Sequence, residues 1–348
     1  MARSLEGWVR RWWRGEAGWG GRIASVTFWP AERLFRWAAA ARNLAYDHDV
    51  LPVTMPSVPV LSVGNLTVGG TGKTPVVRWF VGALQQGGAA PGVVARGYGR
   101  DEILLHRRWY PRTPVAAHPD RVRALDAAVG AGADVVVLDD GFQHRRLGRT
   151  RDVVLLAAEP PFPGRRLPRG PYREGPDALG RADLVVVTRK TASPEAAAAV
   201  AGAVRRRHPG VPVARAALLP GPWRGVDGGP APAPEGPAEV ITAVAEPEGV
   251  RALAARTLGR PEEAVELTAF PDHHEFTEGE AREMARRGTA LVVTEKDAVK
   301  LAQGPVAAAL GDRRVHVLTL DLAWEEGREL ADAAVARILR ARTAGAGR

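Results

Sequence analysis

"SVGNLTVGGTGKTPVV", Ser62–Val77, decides how the rest of the chain is read. It ends as a phosphate-binding loop ends, in Gly72-Lys73-Thr74. The pattern G-x-x-x-x-G-K-[ST] would put its first glycine at position 67, where this chain has Thr67. The displacement is tolerable, because phosphate binding needs a nest of inward amides, a helix N-terminus behind them and a cation in reach. Gly69, Gly70 and Gly72 let the backbone curl, Lys73 supplies the cation, and Thr74 carries the hydroxyl expected on Mg²⁺. Upstream, "VPVLSVG" (Val58–Gly64) reads as a buried strand. Downstream, "KTPVVRWFVGALQQ" reads as a helix, with Pro75 in the first turn where a missing N–H costs least. The candidate nucleotide-binding residues are therefore Thr67, Gly69, Gly70, Thr71, Gly72, Lys73 and Thr74.

Further along, "GVVARGYG", "ADVVVLDDG", "RDVVLLAAE" and "ADLVVVTRK" read as short apolar strands, with "RVRALDAAVGAG" helical between them. Such alternation predicts a parallel sheet covered on both faces. After an Ala-rich helix (Ala192–Arg205) and a Pro/Gly-rich loop (Leu218–Pro237), a second α/β set follows. It comprises "AEVITAV", a helix from near Glu248, "AVELTAF", "ALVVTEKD" and "RVHVLTLDL". The expected architecture is an α/β protein: a P-loop NTPase-type parallel-sheet domain over 51–190, a smaller α/β domain over 191–348, and N-terminal amphipathic helices over 1–50. The strand "VVVLDDG" ends in Asp139-Asp140, where such folds place the carboxylate that serves Mg²⁺. With the glycine loop, that implies ATP or GTP with Mg²⁺, held by Thr74 and either Asp139 or Asp140.

The 348 residues allow two domains, and the absence of cysteine excludes disulfides, thiolate metal sites and cysteine nucleophiles. A formal charge of +9 points to an anionic partner, and no recognisable nucleic-acid module favours nucleic acid. Six of the ten Trp fall before residue 40, at 8, 12, 13, 19, 29 and 37, among Arg3, Arg10, Arg11, Arg14, Arg22, Arg33 and Arg36, with only Glu6, Glu16 and Glu32 opposing. Leu5, Trp8, Trp12 and Trp19 fit one helical face, and Leu34, Trp37, Ala41 and Leu44 another. No apolar run approaches the roughly 20 residues that cross a bilayer, and charges interrupt every candidate signal peptide. Trp-rich faces flanked by Arg suit a helix lying in an anionic lipid surface; packing on the protein's own core is the alternative.

Two resemblances bear on what receives the phosphoryl group. "GGTGKT" resembles the loop of the MinD and ParA family of membrane-associated regulatory ATPases, but that family needs a Lys where this chain has Val68. A broader resemblance runs through "VPVLSVGNLTVGGTGKTPVV", "RGYG", "LDDGFQH", "LPRGPYRE", "AFPDHHEF" and "VVTEKDAVKL", in that order from residue 58 to residue 301. These resemble the successive motifs of the tetraacyldisaccharide 4′-kinases of lipid A assembly.

The resemblance implies ATP-dependent phosphorylation of the 4′-hydroxyl of an acylated glucosamine disaccharide 1-phosphate. It also implies a two-domain protein resting peripherally on the cytoplasmic face of an inner membrane. An Asp–His pair near the acceptor hydroxyl falls on Asp101 and His273, with His274 adjacent as a rival. A sugar hydroxyl is a poor nucleophile until a base accepts its proton, which gives such a pair its chemistry. Around Asp101 the usual G-D-E-P is altered, Arg100 replacing its Gly and Ile103 its Pro. Arg121 matches an Arg near the transferring phosphate, with Arg123 as the alternative, and Arg173 and Glu174 match a substrate-proximal motif in which Tyr172 replaces the usual Leu. Gln143 and His144 are candidates to support the site. Glu295, Lys296 and Asp297 match "TEKD", to which no role follows from the residues. "AVAEPEG" (Ala243–Gly249) departs from the family's Gly-containing turn.

Overall fold

A computed structural model describes residues 2–97 and 99–346; Tyr98 of the "RGYG" motif lies outside them, as do the side chains of Arg3 and Glu6. Close packing divides the chain into two units, one of Met1–Arg96, Ala116–Ala217 and Trp324–Arg348, the other of Gly97–Val115 and Leu218–Ala323. This division departs from linear boundaries at 50 and 190, for a packing reason. Helix α5 (Arg100–Trp109) buries Asp101, Leu105 and His106 and packs on α10 (Glu295–Leu301) in the second unit. The last helix, α12 (Arg328–Ala346), returns to α4 (Lys73–Gln86) in the first.

The larger sheet is built from β1 (Val60–Asn65), β2 (Pro91–Ala95), β3 (Val115–Ala117), β4 (Val135–Asp139), β5 (Arg151–Ala157), β6 (Leu184–Arg189), β7 (Val213–Pro220) and β13 (Leu320–Glu326). Their order is β13-β7-β6-β5-β1-β4-β2-β3, with parallel pairing from β2 through β7. Strand β1 sits in the middle and every residue in it is buried. One face packs Val154, Leu156, Val185 and Val187 against α7 (Pro194–Arg207). The other packs Val60, Val94, Val136 and Leu138 against α6 (Arg121–Gly130). Near-continuous apolar strands are what burial on both faces requires.

The N-terminal helices α1 (Ala2–Arg14), α2 (Gly18–Thr27) and α3 (Trp29–Asp47) belong to this unit. They differ from the expected faces. Gly15 and Gly18 take positive φ and break the chain, so Trp19 is not on the helix of Leu5, Trp8 and Trp12. Trp12 is buried and its indole N–H donates to Ser25 at 2.8 Å, while Trp13 donates to the Pro168 carbonyl at 2.9 Å. Buried Glu32 accepts from Arg169 at 2.6 Å and from the Arg166 amide at 3.1 Å. Leu34, Trp37 and Leu44 are exposed on α3, as are Trp19, Ile23 and Val26 on α2. Among the described residues no helix is long and apolar enough to cross a membrane.

The second unit carries a five-stranded sheet of β8 (Arg224–Gly225), β9 (Ala238–Thr242), β10 (Val265–Ala269), β11 (Ala290–Thr294) and β12 (Val315–Leu318), ordered β10-β9-β11-β12-β8. Helices α8 (Pro247–Thr257), α9 (Glu278–Arg286), α10 and α11 (Gly304–Leu310) accompany it, with apolar clusters around Val240 and Ala254 and around Ile241 and Met284. "RVHVLTLDL" reads as one strand but forms parts of two, β12 and β13, in different sheets.

Candidate active site

The loop that leaves β1 has the backbone its glycines permit. Gly69, Gly70 and Gly72 all take positive φ, and Gly72, at φ 73° and ψ 27°, is the N-cap of α4. A side chain there would strain the turn that aims the first amides of α4 into the loop. Thr67, Thr71 and Thr74 are buried; Thr71 takes a hydrogen bond from the Asn65 amide at 2.8 Å, and its carbonyl accepts from Thr188 at 2.9 Å. Lys190 donates to the Gly70 carbonyl at 2.6 Å. Thr188 and Lys190 escaped the sequence reading. Their only signal is position at the carboxyl end of a parallel strand, where such sheets place ligands.

The "LPRGPYRE" segment fastens the other side of the loop. Val68 donates to the Pro171 carbonyl at 2.8 Å, Arg173 donates its amide to the Leu66 carbonyl at 2.7 Å, and Thr67 and Tyr172 form an antiparallel bridge. Tyr172 is almost wholly buried, its hydroxyl bound to the Pro161 carbonyl at 2.9 Å, so the replacement of Leu is absorbed by packing. Arg173 then reaches Asp140 with Nη1 3.2 and 2.9 Å from the two carboxylate oxygens.

Asp139 and Asp140 separate in role. Asp139 is buried at the end of β4, in register with Val63 of β1. Asp140 takes a left-handed φ of 57° and lies 3.3 Å from Lys73 Nζ. Burial pushes its carboxyl up, but the Lys73 ammonium and Arg173 guanidinium prevail and hold it down at about 2. Asp140 is thus a charged brace between Lys73 of the loop and Arg173 of the segment beside it. Arg121 opens α6 behind its N-cap Asp120, donating to the His118 and Pro119 carbonyls, whereas Arg123 is exposed. Burial lowers the Arg121 guanidinium, and the charges of Asp140 and Asp139 work against that. Gln143 ties the strand to the brace, donating to the Asn65 carbonyl at 2.8 Å and accepting from Arg173 at 3.3 Å. His144 is held neutral, pushed down to about 4 by burial and then by Arg121 and Arg149. Glu174, expected at the substrate, has structural partners: it is buried and accepts from Asn43 at 2.7 Å and Arg181 at 3.0 Å.

In the second unit, Asp101 and His273 meet. Asp101 is no exposed turn carboxylate: it lies in the first turn of α5 at 1% exposure, and His273 Nδ1–H donates to its Oδ1 at 2.9 Å. Burial raises the Asp101 carboxyl, yet the His273 hydrogen bond and the charges of Lys296 and Lys300 bring it below its ordinary value. The same hydrogen bond pushes the His273 imidazole up, against burial. His274 is engaged elsewhere, with Nε2 3.0 Å from Glu280 and its ring stacked 4.8 Å from Phe270. Gly99, at φ 86°, closes the "RGYG" motif, and its role is one that sequence reasoning missed. A Cβ there would stand 2.7 Å from His273 Nδ1 and 2.8 Å from Asp101 Oδ1. "TEKD" also gains a place: Glu295 accepts from the Trp109 indole at 3.1 Å, Lys296 pairs with Glu102 at 2.6 Å, and Asp297 accepts from Thr242 at 2.7 Å.

Comparisons with known proteins identify the family. The profile of the tetraacyldisaccharide-1-P 4′-kinase family matches residues 24–103 and 99–339. A tetraacyldisaccharide 4′-kinase of Anaeromyxobacter dehalogenans strain 2CP-C is 40% identical over 93% of this chain and 93% of its own. One from Chlorobaculum parvum is 32% identical over 88% and 93%. The crystal structure of the Aquifex aeolicus LpxK in complex with ATP superposes with a TM-score of 0.71 at 25% identity, covering 91% of this chain and 99% of that one. These findings leave the MinD/ParA reading without support. The chain belongs to the tetraacyldisaccharide-1-P 4′-kinase family, and it is a kinase of lipid A assembly.

Proposed function

We propose that this kinase transfers the γ-phosphoryl group of ATP to the 4′-hydroxyl of a tetraacylated glucosamine disaccharide 1-phosphate. The observation that carries the mechanism is the Asp101–His273 pair, a base whose carboxylate is buried and whose imidazole is 28% exposed. The acceptor hydroxyl attacks the γ-phosphorus, the bond to the β-bridging oxygen breaks, ADP leaves, and the hydroxyl proton passes to the pair. His273 offers the accessible edge, while Asp101 fixes the ring through Nδ1 and stabilises the imidazolium that forms.

Lys73 and the loop amides hold the outer phosphates, and Arg173 and Arg121 answer the spreading charge of the transferring group. Asp140 holds Lys73 and Arg173 in place. The Thr74 hydroxyl and the Asp139 carboxylate are hard oxygen donors of the kind Mg²⁺ takes. Among the described residues no cluster of three or more His, Cys, Asp or Glu stands ready for a metal. That fits an ion held mainly by phosphates, with one or two protein oxygens. Bound there, Mg²⁺ would supply charge neutralisation to the nucleotide's phosphates.

The acylated acceptor stays in a bilayer, so the enzyme must come to it. Exposed Trp19, Ile23, Val26, Leu34, Trp37 and Leu44, with the net charge of +9, suit peripheral attachment to the anionic cytoplasmic face of an inner membrane. The test is transfer of labelled γ-phosphoryl from ATP to tetraacyldisaccharide 1-phosphate in detergent micelles, with wild type beside Lys73→Ala, Asp101→Ala and His273→Ala. A bisphosphorylated lipid from wild type and severe slowing in all three variants is the expected result. Full activity in His273→Ala would remove the pair from the mechanism.

A further inference from the structure

Behind His273 lies a buried ion pair to which the proposed reaction gives no role. Asp297 and Lys300 sit one turn apart on α10, both almost inaccessible, with Nζ 3.2 Å from Oδ1. Taking two charges out of water is expensive, and a well-packed apolar pair of similar size would stabilise a fold at least as well. The pair's hydrogen bonds show where its specificity is spent. Asp297 Oδ1 accepts from the Ala243 amide at 3.0 Å, and Oδ2 accepts from Thr242 and Thr294, each at 2.7 Å. Lys300 donates to the His274 carbonyl at 3.0 Å.

Both ends therefore close on His273. The Ala243 carbonyl accepts the His273 amide at 3.1 Å, so Asp297 grips the residue that grips His273. Lys300 grips the carbonyl of the next residue along the chain. His273 needs such a hold, because its φ of 59° is a left-handed conformation that a non-glycine residue leaves readily. With the backbone set, Nδ1 meets Asp101 at 2.9 Å. We propose that Asp297 and Lys300 are positioning residues for His273, a buried clamp that keeps the imidazole on Asp101 in the orientation phosphoryl transfer uses. This rests on the reading of Asp101–His273 as the base.

The experiment compares wild type with the double variant Asp297→Leu/Lys300→Met, which removes both charges and leaves no uncompensated ion. Thr242→Val, which takes one donor from Asp297 and keeps the pair, is the second variant should the double one fail to fold. Three readouts are taken: kcat, KM for ATP, and the titration of His273 in ¹³C-histidine-labelled protein, assigned with His273→Ala. Displacing a catalytic group by about an ångström costs up to about 10²-fold, so the double variant is expected to lose about 10–100-fold in kcat. Thr242→Val is expected to lose a few-fold. KM for ATP should stay within about twofold, because the nucleotide loop is built from other residues.

The charges that act most on His273 are those of Asp101, Asp272 and Lys296, and the Lys300 charge reaches Asp101. The double variant removes one charge of each sign from an ion pair, so a fall in the His273 midpoint reports lost geometry at Asp101. Folded variants with wild-type kcat and a wild-type His273 midpoint would overturn the proposal. A kcat loss with an unmoved midpoint would overturn it too, assigning the clamp a general structural role. If His273→Ala itself keeps full activity, the reading of the base falls and not merely the clamp.

Discussion

The phosphate loop and the Asp101–His273 pair both serve the proposed reaction but are assembled in opposite ways. Ser62–Val77 is one continuous stretch whose strand, turn and helix follow from the residues in it. Asp101 and His273 are 172 residues apart, one in the first turn of a helix and the other in a left-handed kink. A local device can absorb a change such as Thr67, which stands where a glycine is usual, so long as the nest of amides survives. A device brought together from distant segments depends on whatever holds those segments. The first should break through chemistry and the second through geometry.

Lys73→Ala should give the largest effect. It removes the loop's cation and also strips Asp140 of one of its two partners, leaving a half-buried carboxylate braced by Arg173 alone. Charge clamps on transferring phosphoryl groups are worth about 10³–10⁵ in kcat, and a loss of about 10⁴-fold is expected in the micelle assay. A loss under about tenfold would mean that Arg173 and the loop amides suffice.

Asp101→Asn comes next, with a loss of about 10³-fold, in the range of general acid–base catalysis. It carries a pH signature that Lys73→Ala lacks. His273 is raised by its hydrogen bond to Asp101, so the free base is lost, and kcat falls, as pH drops through that raised value. Without the Asp101 carboxylate the imidazole is easier to deprotonate, and the fall in kcat moves to lower pH. An acid limb that stays where it is would exclude His273 as the titrating group.

What the sequence disclosed divides along the same line. The loop, its flanking strand and helix, the parallel sheet and Asp139-Asp140 were legible because they are local patterns of glycine, charge and apolar runs. The pairing of Asp101 with His273 was available only through family resemblance, which also marked "RGYG" without the reason for Gly99, and Thr188 and Lys190 were not marked at all. Their importance depends on neighbours from elsewhere in the chain. The "TEKD" motif had no derivable role because Asp297, besides Thr294 within the motif, takes its partners from Thr242 and Ala243, far upstream. The face drawn through Leu5, Trp8, Trp12 and Trp19 failed at Gly15, whose positive φ ends the helix before Trp19 joins it.

Gly99→Ala tests geometry with no chemistry removed. Its Cβ would press on both members of the pair, at a backbone φ of 86° that alanine resists. About a 10²-fold loss in kcat is expected, matching a misplacement of roughly an ångström, with KM for ATP unchanged. A variant with normal kcat would show that the pair can shift without harm, and the contrast between loop and pair would weaken.

The smallest effect should come from a region that serves neither device. Trp19 and Trp37 are each 76% exposed, unlike Trp12 and Trp13, whose indoles are tied into the protein. Replacing the first two by Ala removes apolar area from the surface and almost none from the core, so the melting temperature should hardly move. If they rest in lipid, binding to vesicles containing anionic lipid should weaken by about 30-fold, since each of the two lost aromatics removes interfacial burial worth about a kcal/mol. The KM for the lipid acceptor should rise by a similar factor on vesicles, while kcat and KM for ATP stay put. Trp12→Ala should do the reverse, lowering stability with little direct effect on vesicle binding. Equal vesicle affinity for the Trp19→Ala/Trp37→Ala variant and wild type would separate surface exposure from lipid contact, and the arginines would have to carry the attachment alone.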